Sequence, residues 1–212
     1  MQTLSELALG LGADEIVLLM GKKGFRFKQV DSFDALDEGS FWSFPIGTDK
    51  YPVHSWYIAT VHDLSGVKNH GYRHSGIDYN LDKSPWGDID RGLPVWAVAD
   101  GVVYATWYSE RNLGAVVIKV VHEGKPLWVR YWHLAKDDTF KSLWAGIEVR
   151  SGQCIGHIGA YRAGDHLHFD MALNEFHPGA WLSPGVLWVD PVPILKAHLD
   201  PKLVDASLRR GD

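Results

Sequence analysis

His74, Asp78, His133, His166 and His168 are the residues of this chain whose types and spacing best suit chemistry. In His166-Leu167-His168 two imidazoles stand two residues apart, so on a β-strand they share one face. In His74-Ser75-Gly76-Ile77-Asp78 an imidazole and a carboxylate converge if that segment is extended. His133 ends the run Tyr131-Trp132-His133-Leu134 and reaches the same pocket if that strand pairs beside the one carrying His166. Together these groups supply enough nitrogen and carboxylate oxygen to hold a divalent metal with one coordination position open. An open position is what separates a catalytic zinc site from a structural one. Water at such a position has its pKa lowered to about 7. Imidazoles left unligated can orient or deprotonate that water and stabilise an oxyanion. The residues themselves therefore point to metal-assisted hydrolysis.

Competing motifs fail on spacing. His122-Glu123-Gly124-Lys125-Pro126 begins like the helical His-Glu-x-x-His motif, but Pro126 stands where the second His belongs and the segment is a turn. His166-Leu167-His168-Phe169-Asp170 has Met171 where a metallo-β-lactamase motif needs another His, and Glu175 lies too far on for a cupin pattern. His54, His62, His122, His157, His177 and His198 are read as surface or satisfied core histidines, and His70 as at most a neighbour of the site.

The elements that must position these residues are mainly strands. Ala115 to His122 is rich in β-branched residues, is ended by Glu123-Gly124, and predicts antiparallel pairing with Leu127 to Leu134. Ile147 to Val149, Gln153 to Ile158 and His166 to Leu173 predict three more strands. Val95 to Ala99, Asp100-Gly101 and Val102 to Ala105 predict a hairpin with a type I′ turn. Short strands between Gly-rich turns indicate a mainly β, antiparallel fold. Before Phe41 the texture differs: helices are expected near Thr3 and from Asp14 to Met20, with a strand at Gly24 to Val30. Asp190-Pro191 onward reads as a short helix and a polar tail. The stretch from Leu81 to Asp90, with Trp86, is either a groove wall or a solvated loop with one anchoring Trp.

Bulk composition narrows the class. With 212 residues, 46% hydrophobic and 22% charged, the chain suits one domain with a proper core. Ten Trp is high for this length, with some expected to build the core and others to line a groove that stacks on ligand. A formal charge of −5 and no Lys/Arg run argue against a nucleic-acid partner. Cys154 is the only cysteine, which excludes an internal disulfide or a Cys-rich zinc site, and it is read as a small buried hydrophobe. No membrane span is expected, because no stretch approaches eighteen apolar residues. The N-terminus lacks the basic region of a secretory signal.

His-Ser-Gly-Ile-Asp at 74–78, Gly92-Leu93-Pro94-Val95-Trp96-Ala97, Asp100-Gly101-Val102-Val103, Tyr131-Trp132-His133-Leu134 and Gly164-Asp165-His166-Leu167-His168-Phe169 run in an order that resembles the lysostaphin-type (LytM-like) zinc metallopeptidases. Val189-Asp190-Pro191 resembles the closing segment of that family. The resemblance implies one Zn2+ per chain held by His74, Asp78 and His168, with His133 and His166 as catalytic histidines. It implies an antiparallel β-sheet groove and a peptidoglycan peptide as substrate, cut in stem cross-links or interpeptide bridges. The domain reading that goes with it is a short helical N-terminal extension at 1–44, a catalytic domain at 45–195 and a C-terminal tail at 196–212. The family often has Gly-Pro where this chain has Gly164-Asp165, and the loop from Gly159 to Gly164 is shorter, which bears on substrate contacts more than on metal binding. A groove that binds cell wall without cutting it is the alternative, although all five functional positions are filled. Action on the wall without a visible export signal suits a phage lysin or virion component, or a chain whose signal has been removed.

Overall fold

Pairing begins where the sequence is most β-branched. Strand β5 (Leu113–His122) and strand β6 (Lys125–Leu134) form a long antiparallel hairpin. Glu123 (φ 50) and Gly124 (φ 69) occupy the two left-handed turn positions between them. The computed structural model describes residues 41–81 and 89–208. The helices and strand expected before Phe41, the extension they compose, and most of the Leu81 to Asp90 stretch lie outside those residues.

Around this hairpin stand β1 (Tyr57–Thr60), β2 (Gly76–Asn80), β3 (Pro94–Trp96), β4 (Gly101–Ser109), β7 (Glu148–Val149), β8 (Cys154–His157), β9 (Leu167–Ala172) and β10 (Trp188–Val189). The main sheet has eight strands in the order β1-β2-β9-β6-β5-β4-β7, with β10 also pairing β9, and every neighbouring pair is antiparallel. Strand β9 therefore lies between β2 and β6, the three strands that carry the candidate site. Alternation then sorts side chains by face. Leu127, Val129 and Tyr131 of β6, Ile77 and Tyr79 of β2, and Leu167, Phe169 and Met171 of β9 enter the main apolar core. The residues between them, including Asp78, Arg130, His168 and Asp170, belong to the other face, where Trp128, Ala172, Phe176 and Trp188 form a smaller cluster.

The structure departs from the expected hairpin at 95–105. Strand β3 pairs with β8 in a separate two-stranded sheet, and β4 pairs with β5 and β7. The Asp100 carboxylate accepts a hydrogen bond from the Ser151 backbone at 2.8 Å, and Val98 N donates to the Tyr131 hydroxyl at 2.8 Å. Asp100-Gly101 is thus tied to another loop, and neither residue has the positive φ of a type I′ turn. Cys154 is half-buried rather than fully enclosed.

Three α-helices are described: α1 (Asp138–Ser142), α2 (Pro191–His198) and α3 (Pro201–Leu208). Asp190 caps α2 by accepting from Val192 N at 3.0 Å, with Pro191 in the first helical position, where its missing N–H is not needed. The region expected as a polar tail contains α3, whose Val204 is fully buried in the main core. Among the described residues no helix is long and apolar enough to cross a membrane.

Gly76 sits where β2 lies against β9. A Cβ there would collide with the Phe169 carbonyl and the Asp170 side chain and stand 2.7 Å from Asp170 Cα. Gly76→Ala is expected to push β2 off β9 and cost about 2 kcal/mol or more, as overpacking a rigid site does. Thermal unfolding should show the loss, and zinc uptake should fall with it because His74 and Asp78 flank this contact. A melting temperature equal to that of the unaltered chain would refute the close approach.

Candidate active site

The pairing of β2 with β9 sets Asp78 directly opposite His168. His74 precedes β2 and is fixed by a bridge to Asp63, whose N and O both bond its backbone at 2.9 and 2.8 Å. The Asp63 carboxylate in turn accepts from the Ser65 hydroxyl and from the backbone N–H groups of Gly66, Lys68 and Asn69. Burial alone would raise its pKa, and these hydrogen bonds outweigh that and hold it below the usual carboxylate range.

His74, Asp78 and His168 are all buried and offer ligand atoms within 4.8 Å of one another. His74 Nε2 lies 3.1 Å and His168 Nδ1 2.9 Å from Asp78 Oδ1. Atoms bound tetrahedrally at zinc distances stand about 3.3 Å apart, so the spacing is close to what a single ion needs. The other nitrogen of each ring is already committed. His74 Nδ1 lies 2.8 Å from the Gly76 carbonyl, an acceptor only, so it carries the proton and leaves the Nε2 lone pair facing Asp78. His168 Nε2 lies 2.9 Å from Asp170 Oδ2. Two ring nitrogens and a carboxylate aimed at one point fit a divalent, zinc-type cation by donor chemistry. Burial would raise the Asp78 pKa, but the surrounding His166, His74 and His168 outweigh it and keep the carboxylate well below its ordinary value.

Behind His168, Asp170 is completely buried and paired with the equally buried Arg130, whose Nε and Nη2, one edge of the guanidinium, each donate to one carboxylate oxygen. Ser75 Oγ donates to the same carboxylate at 2.7 Å. Burial works against the charge on Asp170, yet Arg130 and His168 keep it ionised, with its pKa held far below the usual range. Burial would also lower the His168 pKa, but Asp170 and Asp78 outweigh that and raise it. Added basicity of this kind would strengthen His168 as a metal ligand, and a proton would compete with a cation for it. Arg130 Nη1 donates to the Pro178 and Ala180 carbonyls at 2.9 and 2.6 Å, and its guanidinium lies 4.2 Å over the Trp132 ring.

His133 reaches the site through a backbone irregularity. Strict alternation from Tyr131 would turn it into the core. The register between β5 and β6 shifts at Gly114/Ala115, and His133 takes a φ of 67. A bulge of this kind re-aims one side chain. Its Nδ1 lies 3.0 Å from the Asn112 carbonyl, which leaves Nε2 as the free lone pair. Burial, then the nearby His166 and His168, hold the His133 pKa well below 6.5. His166 lies just before β9, not within it, with Nδ1 2.8 Å from the Gly164 carbonyl and Nε2 3.6 Å from Asp78 Oδ1. The rings of His133 and His166 are 4.7 Å apart.

All five residues singled out by sequence line one cavity of about 490 Å³. Tyr72, Arg111, Asn112, Trp132, Tyr161, Arg162 and Trp181 also line it and were not singled out as site residues. Asp170 could have been found, since it continues the period-two pattern of His166 and His168. Trp181 had no local signal, because the Arg130 bonds to the segment before it are long-range. His157 is engaged with Asp137 and His122 with His198, away from the cavity, and His70 is exposed and does not line it.

Residues 72–178 match the family model described as Peptidase family M23. The chain is 33% identical over 88 residues to peptidoglycan DD-endopeptidase ShyC of Vibrio cholerae, covering 41% of this chain and 19% of that one. A solution structure of lysostaphin superposes with a TM-score of 0.50 at 25% identity, covering 69% of this chain and 52% of that one. The catalytic domain of lysostaphin from Staphylococcus simulans gives a TM-score of 0.48 at 23% identity, over 71% of this chain and 99% of that one. This chain thus spans about a fifth of the curated relative and about half of the lysostaphin chain in the solution structure.

Asp170→Asn is expected to weaken zinc binding about 10- to 100-fold, the usual cost of losing a carboxylate behind a ligating His. Titration calorimetry with zinc on the folded variant measures this. An affinity equal to that of the unaltered chain would show that Asp170 does not orient His168.

Proposed function

This chain belongs to peptidase family M23, and from that premise we propose that it is a zinc-dependent endopeptidase that hydrolyses peptide bonds in bacterial peptidoglycan. The observation that carries the reading is a three-ligand cluster and two further imidazoles converging on one cavity. His74 Nε2, one Asp78 oxygen and His168 Nδ1 would hold the zinc. When bound, zinc supplies Lewis-acid polarisation and a lowered pKa for the attacking water.

The chain's own groups do the rest. His133, neutral and with Nε2 free, accepts a proton from the water that attacks the peptide carbonyl. Returned to the leaving amine, that proton completes hydrolysis. His166, with Nδ1 committed to the Gly164 carbonyl, presents Nε2 to the same space and steadies the carbonyl oxygen as it gains negative charge. Tyr72 and Trp181, whose rings are 6.0 Å apart, make an aromatic wall beside His74 for the peptide to lie against. We place the catalytic unit at 45–195, with 1–44 as an extension and 196–212 as the C-terminal segment, and its place of work at the cell wall. The name of the relative ShyC, a peptidoglycan endopeptidase, supports the substrate class.

Purified protein should contain about one zinc and release soluble fragments from cell walls. His168→Ala should lose the zinc. His166→Ala should keep it and lose turnover by about 10²-fold or more; loss of zinc there instead would reassign His166 as a ligand. The depressed pKa of His133 also fixes a sign. Its neutral form is lost only as pH falls well below 6.5, so with zinc held saturating against the proton that competes at His168, protonation of His133 should not itself lower turnover until the pH is well below 6.5. At saturating zinc with metal content unchanged, a rate that already declines above 6.5 as acid is added would argue against His133 as the buried base.

A further inference from the structure

The cavity is charged in a way that the whole chain is not. The chain carries −5 overall, yet the formal charges among the cavity-lining residues are the single carboxylate of Asp78 and the guanidiniums of Arg111 and Arg162. Other described arginines are engaged: Arg73 with the Leu64 carbonyl, Arg91 with Asp165, Arg130 with Asp170, and Arg150 with Asp100. Among the described residues, no hydrogen bond or ion pair engages Arg111 or Arg162, and both are exposed.

Their placement is specific. Arg111 precedes Asn112, whose carbonyl holds His133 Nδ1 at 3.0 Å. Arg162 follows Tyr161, whose ring stacks on His133 at 3.9 Å. The Tyr161 backbone is itself braced, donating to Asp165 at 2.7 Å while Asp165 pairs with Arg91. Both arginines line the cavity and are chain neighbours of the residues that hold His133, while the Tyr72 and Trp181 rings lie beside His74. Only a substrate with its own anionic groups would give the two arginines charge-assisted bonds.

We infer that the cavity selects a peptide with free carboxylates beside the scissile bond, held by Arg111 and Arg162, as in a directly cross-linked diaminopimelate stem, over an uncharged oligoglycine bridge. This rests on the endopeptidase reading above and adds the substrate class. A glycine bridge presents only amide N–H and C=O groups, and a guanidinium donates weaker hydrogen bonds to a neutral carbonyl than to a carboxylate.

The test uses the zinc-loaded chain and three soluble cross-linked muropeptides. One has free diaminopimelate carboxylates, one has them amidated, and one is glycine-bridged. The free-carboxylate substrate should show kcat/KM about tenfold or more above the other two. In the double variant Arg111→Gln, Arg162→Gln the ratio of free to amidated should fall towards one, with zinc content kept. The double variant Arg111→Lys, Arg162→Lys should restore part of that ratio, because charge is kept and the planar fork lost. Equal or better cleavage of the glycine-bridged substrate would overturn the inference and leave the endopeptidase reading standing. So would a Gln variant that lowers all three rates by one common factor. Cleavage of none of the three by zinc-loaded protein would overturn the endopeptidase reading, and this inference with it.

Discussion

The buried pair of Arg130 and Asp170 is the constraint on which the site depends. Enclosing two ions costs several kcal/mol each unless geometry and further hydrogen bonds offset the loss of water. Here they do: Nε and Nη2 meet the two oxygens of Asp170, Nη1 binds two carbonyls, and Ser75 and His168 complete the carboxylate. A pair so satisfied fixes its neighbours. Asp170 sets the tautomer and tilt of His168, and Ser75 ties the His74 segment to the same carboxylate. The Pro178 and Ala180 carbonyls place the segment that ends in Trp181. Breaking either partner would strand a buried charge, so the strands that carry Asp78 and His168 and one wall share a single electrostatic anchor.

Tautomer control recurs elsewhere in the site. His74, His133 and His166 each direct Nδ1 at a backbone carbonyl, those of Gly76, Asn112 and Gly164. A carbonyl can only accept, so each ring carries its proton there and turns Nε2 to the cavity. His168 is reversed because its Nε2 faces Asp170. The chemistry of each imidazole is thus set by the shape of the main chain as much as by residue type.

This explains what could be read from sequence and what could not. The β5–β6 hairpin was legible because β-branched residues and Glu123-Gly124 agree locally. The five residues that meet at the cavity were legible as a set because their spacing and order are distinctive. The hairpin at 95–105 misled because Asp100-Gly101 satisfies a turn rule, while its partners, Ser151 and Tyr131, are distant in sequence. The inward turn of His133 follows from a register shift against β5, which no pattern within Tyr131 to Leu134 reveals. Arg130 was passed over because it alternates with core residues on a strand, and its burial follows only once Asp170 is its neighbour on β9.

The same anchor bears on charge at the reaction centre. Asp170 is neutralised by Arg130, so the ligand set that faces the cavity contributes one negative charge, that of Asp78, and two neutral imidazoles. A dication held there would retain a net positive charge. A second unpaired carboxylate in the set would cancel it. Hydrolysis of a peptide bond builds negative charge on the carbonyl oxygen, and in a partly enclosed site that charge is stabilised by whatever net positive field is already in place. By pairing internally, Asp170 can tune His168 without drawing down that field. The ion pair therefore does two jobs, one mechanical and one electrostatic, and the second requires that Arg130 be as deeply buried as the carboxylate it balances.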